Sequence, residues 1–155
     1  MRSLDALIAF NEKNSAREMP YFGQEILLQA QKKGPLTEKA YKEAVAKNRL
    51  MSRGQGIDAV LSKDKLQTIF APAGGPAWLT DLVTGDHDTG GSSTPAAVAG
   101  YPNITVPAGF VHGLPVGASF FGAAWSEGVL VKIASGFEAA MKARKKPEFL
   151  KTAAV

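Results

Sequence analysis

The amino-acid composition of this chain changes near Lys65, and that change constrains its fold more than any other feature. Residues before it are rich in Lys, Glu, Gln and Ala, whereas residues after it are rich in Gly, Pro, Val and Phe. The first composition is typical of helices and the second of strands joined by turns. Since no Pro, Gly and Ser spacer separates them, we interpret 1–155 as a single domain, helical over about 1–64 and sheet-containing over about 65–155.

Three amphipathic helices are expected in the first part. Ser3 is placed to cap the first, the second follows Pro20, and Thr37 is placed to cap the third. Each has a stripe of apolar side chains that we expect to be buried. The three stripes are Leu4, Leu7 and Ile8, then Phe22, Ile26, Leu27 and Ala30, then Tyr41, Ala44 and Val45.

The second part predicts three short strands, a small-residue helix and a closing helix. The strands are expected over 68–71, 103–106 and 116–121, with a connection containing Gly109, His112 and Gly113 between the last two. A helix of small residues is expected to follow Pro95 and to end at Gly100, and the closing helix begins after Ser126. Strands alternating with helices indicate an α/β or α+β fold.

Charge and cysteine content exclude several classes of function. The chain has a formal net charge of +4, and its Lys and Arg residues lie on helical stretches without interleaved aromatic residues, so nucleic acid is not the indicated partner. The absence of cysteine excludes disulfides, thiolate nucleophiles and thiolate metal sites. No apolar run is long enough for a membrane span or a secretory signal, which predicts a cytoplasmic protein without a membrane partner.

One long run gives the chain its resemblance to a known family. Residues 93–110 read STPAAVAGYPNITVPAGF, and they are followed by Gly113-Leu114-Pro115-Val116-Gly117 and by Trp125-Ser126-Glu127. Taken in this order and spacing, the motifs resemble the carboxy-terminal segment of the amidase signature hydrolases, a family that includes bacterial amidases and amidotransferase A subunits. The resemblance implies that the strands belong to that family's mixed sheet, which helices cover.

The same resemblance implies that catalytic residues lie elsewhere. Members of the family hydrolyse amide bonds with a Ser–Ser–Lys triad, and in the family's order the triad precedes the region matched here. We therefore expect a carboxy-terminal portion of an amidase that is inactive alone, with no catalytic residue, cofactor or metal of its own. The alternative is a non-catalytic binding or interaction module on the same scaffold. An amide substrate is expected only with the missing amino-terminal part, and an exposed sheet edge predicts a homo-oligomer.

The long loop expected over 80–95 holds the candidate binding residues. If late loops form part of the pocket wall, as the resemblance implies, the candidates are Trp78, Asp86, Thr89 and Ser92. Two patterns in this loop imitate catalytic or metal sites. The run Gly90-Gly91-Ser92-Ser93 imitates the nucleophile signature but lies at a different place in the family order, and Asp86-His87-Asp88 is better interpreted as a polar turn than as a metal site.

Overall fold

A computed structural model of the chain describes residues 2–149. The chain divides into two compact units, Met1–Glu43 and Ala44–Val155, and each is described by itself. The interpretation of the whole chain as a single domain stays a prediction. Within the described residues, none of the helices combines the length and apolar character needed to cross a membrane.

The first unit consists of short helices. They are α1 (Leu4–Lys13), α2 (Ser15–Glu18), α3 (Glu25–Gln31) and the first residues of α4 (Lys39–Arg49). The predicted cap of α1 is confirmed, because the side-chain oxygen of Ser3 accepts a hydrogen bond of 3.1 Å from the Ala6 N–H. The observed start of α4 is one residue later than a cap at Thr37 predicts, since that helix begins at Lys39.

A buried glutamine holds this unit together. Gln24, immediately before α3, is 8% exposed. Its amide nitrogen donates to the Ile8 carbonyl at 3.3 Å and to the Glu12 carboxylate at 3.0 Å, and its amide oxygen accepts from the Asn11 amide at 3.2 Å. A single side chain thus satisfies its own polar atoms while joining α3 to α1.

The predicted burial of the second apolar stripe is wrong for most of its members. Phe22 and Ile26 are 67% and 80% exposed, and Ala30 is exposed as well, whereas Leu27 is partly buried. The periodicity of the sequence is real, but a stripe is buried only where another apolar surface packs on it.

The second unit continues α4 through an irregular helical turn. A π-helical segment, Leu50–Ile57, leads into α5 (Asp58–Lys63), and Gly56 interrupts it with φ −112° and ψ −111°. A Cβ atom at Gly56 would lie 2.6 Å from the Met51 carbonyl oxygen, so the tight turn requires glycine there.

Three antiparallel strands form the sheet, in the order β1-β3-β2. They are β1 (Ile69–Pro72), β2 (Asn103–Val111) and β3 (Leu114–Phe121). His112 and Gly113, both with positive φ, make the two-residue turn of the β2–β3 hairpin. The prediction that Gly109 lies in the connection is wrong, because β2 continues past an irregularity between Pro107 and Gly109.

Helices cover both faces of this sheet, which confirms the predicted layering of helices on strands. On one face, α7 (Glu127–Met141) packs Leu130 and Ala134 against Val106, Ala118 and Phe120. The other face packs against α6 (Ser93–Ala99), α5 and the π-helical segment. The buried side chains of that second cluster are Ile57, Leu61, Ala96, Ala99 and Phe121.

The end of α6 is fixed by an arginine and a tyrosine. Gly100 ends the helix as predicted, in the left-handed region with φ +66°. The Arg53 Nε donates to the Ala99 carbonyl at 2.7 Å, and its guanidinium lies 5.2 Å from the centre of the Tyr101 ring. The Tyr101 hydroxyl donates to the Asp58 carboxylate at 2.9 Å, so α6 is bonded to both preceding helical segments.

Candidate functional site

The end of β1 and the residues before α6 lie side by side. The Ala73 N–H donates to the Gly117 carbonyl of β3 at 2.8 Å, which extends the pairing of β1 by one residue. The Ala73 carbonyl in turn accepts from the Ser92 N–H at 3.2 Å, and an isolated bridge pairs Gly74 with Gly91. These bonds position the long connection from Ala73 to Ser92 at both of its ends.

A shallow pocket of about 410 Å³ lies along this junction. Its wall is mostly backbone, because half of the residues that line it are glycines. The lining residues are Ala71, Pro72, Gly74, Gly75, Thr89, Gly90, Gly91 and Ser92. Close approach explains one glycine directly, since a Cβ atom at Gly91 would lie 2.8 Å from the Ala73 carbonyl oxygen.

Ser92 has the one buried side-chain polar atom without a hydrogen-bond partner that is found over residues 2–149. It occupies the position before α6, where serine often caps a helix, but its hydroxyl makes no capping bond. A buried hydroxyl without a partner costs roughly 1–3 kcal/mol. Ser92 lines the pocket, and its hydroxyl oxygen is itself closed off from solvent.

Known proteins with similar sequences and structures include several amidases. A protein of Arabidopsis thaliana called "probable amidase" is 37% identical over 152 residues, which cover 97% of this chain and 26% of that protein. The crystal structure of the native peptide amidase from Stenotrophomonas maltophilia matches with a TM-score of 0.87 and 42% identity, over 98% of this chain and 30% of that one. This chain is related to the amidases.

The amidase relationship confirms the family resemblance and the fold inferred from the motifs. A peptide amidase structure in complex with the competitive inhibitor chymostatin matches with a TM-score of 0.90 and 44% identity. The A subunit of the Lactococcus lactis glutamyl-tRNA(Gln) amidotransferase matches over a shorter stretch, 39% identical over 69 residues. No protein-family model matches the chain. Two curated amidases match nearly the whole of this chain, and the chain spans about a quarter of the length of each.

The structure brings together two of the four predicted pocket residues of this amidase-like chain. Thr89 and Ser92 both line the pocket, whereas Trp78 and Asp86 lie farther along the same connection and do not. Trp78 is 43% exposed. The role of all four in substrate binding stays a prediction.

Two aspartates shape the middle of the connection. Asp81 accepts hydrogen bonds from the side chain and backbone of Thr84 and from the Val83 N–H, and these bonds, in that order, lower the pKa of the Asp81 carboxyl. Asp88 accepts from the Gly90 N–H at 2.8 Å, which makes 88–90 a polar turn. Both carboxylates therefore bond to nearby residues of the same connection.

Sequence reasoning missed the other wall of the pocket. Pro72 ends β1, Gly74 and Gly75 follow it, and all three line the pocket with the residues around Gly90. Their signal in the sequence is the glycine-rich run Ala73-Gly74-Gly75-Pro76, which by itself is typical of a loop. Pairing between Gly74 and Gly91 is a contact between distant residues, and the local sequence does not specify it.

Proposed function

We propose that this chain is the carboxy-terminal part of an amidase, an enzyme that hydrolyses carbon–nitrogen amide bonds. The observation that carries the proposal is the pattern of coverage: the peptide amidase match extends over 98% of this chain but only 30% of that enzyme. The chain would supply part of the sheet, its covering helices and one wall of the substrate pocket. The Ser–Ser–Lys triad implied by the family would come from a part of the protein outside this chain.

The pocket wall suits a neutral amide group. Thr89 and Ser92 offer hydroxyls that both donate and accept, and the glycines expose backbone without side chains in the way. An amide has one carbonyl acceptor and N–H donors, so it can satisfy the unpaired Ser92 hydroxyl in either direction once that hydroxyl turns toward the pocket. Trp78 and Asp86 would complete this wall from the same connection once the rest of the enzyme is in place.

Activity measurements on two proteins test this function. The purified chain is expected not to hydrolyse peptide amides. A chimera of the Stenotrophomonas maltophilia peptide amidase, in which this chain replaces the matched segment, is expected to hydrolyse them. Turnover by the purified chain that is lost on Ser92→Ala or Ser93→Ala would contradict the proposal, since it would place the nucleophile within 90–93.

The pocket role of Ser92 is tested in the same chimera. Ser92→Ala should raise KM by about tenfold or less, the equivalent of one hydrogen bond to substrate, and should leave kcat nearly unchanged. Ser93→Ala is the matched control, because Ser93 is the next residue, is exposed and does not line the pocket. Equal effects of the two substitutions on KM would show that Ser92 does not bind the substrate.

A chimera that folds but hydrolyses no amide would favour the alternative, a non-catalytic binding or interaction module. Cytoplasmic location and self-association through a sheet edge also stay predictions from the sequence.

A further inference from the structure

Four glycines line the pocket beside β1, and local geometry accounts for two of them. A Cβ atom at Gly91 would lie 2.8 Å from the Ala73 carbonyl oxygen, which is closer than real Cβ atoms come to backbone. Gly90 has φ +79°, in the left-handed region that other residues rarely adopt. Alanine at either position would strain the backbone, so the fold itself requires these two glycines.

Gly74 has no such structural requirement. Its φ is not positive, and a Cβ atom there would lie 3.5 Å from the Gly90 carbonyl oxygen, an ordinary van der Waals distance. Over residues 2–149 this oxygen is the one atom within 4 Å of that Cβ position, apart from the neighbours of Gly74 in the chain. Gly74 also pairs with Gly91, and glycine weakens strand pairing because it loses more conformational freedom than alanine. Folding alone would favour a larger residue.

The pocket supplies a reason for a glycine at this position. Gly74 and Gly90 both line it, so a side chain at position 74 would extend from the wall into the open space. Glycine within strand pairing often marks the close approach of a ligand or of another backbone. Beyond its chain neighbours, the described backbone comes no closer than 3.5 Å to the Cβ position at Gly74, which favours a ligand. The volume of about 410 Å³ lies within the range of roughly 300–1,000 Å³ found for ligand pockets.

We propose that Gly74 is a specificity-determining residue, which keeps the pocket open for one substituent of the amide substrate and so limits the size of that substituent. The inference rests on the proposed function. None of the described lining residues carries a charge, and the Ala71 and Pro72 side chains are apolar. Transfer of a charge from water to such a wall is unfavourable. The substituent is therefore uncharged, and the volume admits a side chain as large as that of leucine or phenylalanine.

The stability of the purified chain tests whether the fold needs this glycine. Gly74→Ala should leave the unfolding temperature unchanged or raise it, since the added methyl group fits and the unfolded chain becomes less flexible. Gly91→Ala should lower it, because the added Cβ atom meets the Ala73 carbonyl. If Gly74→Ala lowers the unfolding temperature as much as Gly91→Ala does, the fold requires Gly74 and the proposal is overturned.

Substrate preference is measured in the peptide amidase chimera. Two series of N-acetylated amides are compared, single-residue amides and dipeptide amides, in which alanine, leucine or phenylalanine occupies the last or the preceding position. Gly74→Val should lower kcat/KM for the largest member of one series by about tenfold or more relative to its smallest member. Gly74→Ala should have a smaller effect in the same direction, and it carries the test if Gly74→Val does not fold.

Gly128 provides the matched control. It is a glycine of α7 with open space at its Cβ position, and it is not among the described residues that line the pocket. Gly128→Ala and Gly128→Val should leave the preference between small and large substrates unchanged. A change as large as that of the Gly74 variants would show that the preference does not depend on the pocket, and it would overturn the proposal.

The outcomes separate this inference from the function on which it rests. An active chimera in which the Gly74 variants keep the parent preference, or hydrolyse every substrate more slowly by the same factor, overturns the specificity role and leaves the amidase function standing. The same result is expected if the amino-terminal part of the enzyme fills this pocket. A parent chimera that folds but hydrolyses no amide contradicts the function and the inference together.

Discussion

Two hydroxyls on the sheet lie within hydrogen-bond distance, and only one of them belongs to a buried residue. Ser119 is 2% exposed, whereas Thr105 is an exposed residue. The two side-chain hydroxyl oxygens lie 2.9 Å apart. Thr105→Val leaves the Ser119 hydroxyl buried without this partner and should destabilise the chain by about 1–3 kcal/mol. Ser119→Ala leaves the Thr105 hydroxyl accessible to water and should cost about 1 kcal/mol or less.

Urea unfolding of the two variants and of the double variant measures this asymmetry. The double variant should be close to Ser119→Ala in stability, because no buried hydroxyl remains in it. A larger loss for Ser119→Ala than for Thr105→Val would show that Ser119 has another partner in solution.

Tyr101 predicts a loss of stability at alkaline pH. Burial, and then the hydrogen bond and negative charge of Asp58, raise the pKa of the Tyr101 phenol above its ordinary value, although Arg53 opposes them. The folded chain therefore holds this proton more tightly than the unfolded chain. The stabilising contribution is complete below about pH 10, the ordinary tyrosine pKa, and is lost as pH rises toward the folded-state pKa.

Comparison of the parent chain with Tyr101→Phe tests the alkaline effect. Thermal unfolding between neutral pH and about pH 11 should show a steeper decline for the parent chain, since the variant has no proton to lose at this position. If the unfolding temperatures of both proteins fell in parallel as pH rises, Tyr101 would not be the cause.

At the level of elements, substitution by alanine should have opposite effects on stability at two glycines near the end of the chain. Gly136 lies inside α7 with open space where a Cβ would be, so Gly136→Ala should stabilise the chain by about 0.4–1 kcal/mol. Gly122 lies before α7, and a Cβ there would come 2.7 Å from the Ser126 hydroxyl and 3.3 Å from the Gln67 carbonyl oxygen. Gly122→Ala should therefore destabilise it. Thermal unfolding of both variants checks the signs, and a stabilising Gly122→Ala would contradict the packing at β3.

Elements with local signals were predictable from the sequence. The Ser3 cap, the glycine that ends α6 and the start of α7 after Ser126 each depend on a few neighbouring residues, and all three predictions are confirmed. Even there the details differ, because the Ser126 hydroxyl donates to the Ala123 carbonyl and does not cap α7. The π-helical turn was not predicted, although Gly56, which the tight turn requires, is visible in the sequence.

For the whole molecule, exposed apolar side chains predict self-association of the purified chain. Tyr21, Phe22 and Ile26 of the first unit are each at least 67% exposed. We expect light scattering to show a mass that increases with concentration, and the double variant Phe22→Ser/Ile26→Ser to reduce that increase. Lys33→Ser, at an exposed polar position of the same unit, is the control. A chain that stays monomeric at high concentration would contradict this prediction.

The candidate site could be predicted only in part because it depends on distant residues. Thr89 and Ser92 were named because the resemblance implies that late loops form part of the pocket wall, and both line the pocket beside β1. The predicted burial of Phe22 and Ile26 was wrong because burial, too, depends on distant residues. Periodicity identifies a surface suited to packing, but it does not identify what packs on it.

The hairpin turn at His112 and Gly113 has a consequence for the order of folding. It joins β2 directly to β3, and α7 begins six residues after β3 ends, so the whole layer that contains Leu130 and Phe120 comes from one continuous stretch. Closing such short loops costs little chain entropy. We expect this hairpin and helix to form the folding nucleus, ahead of the pairing of β1 with β3, which must bring together residues about fifty positions apart.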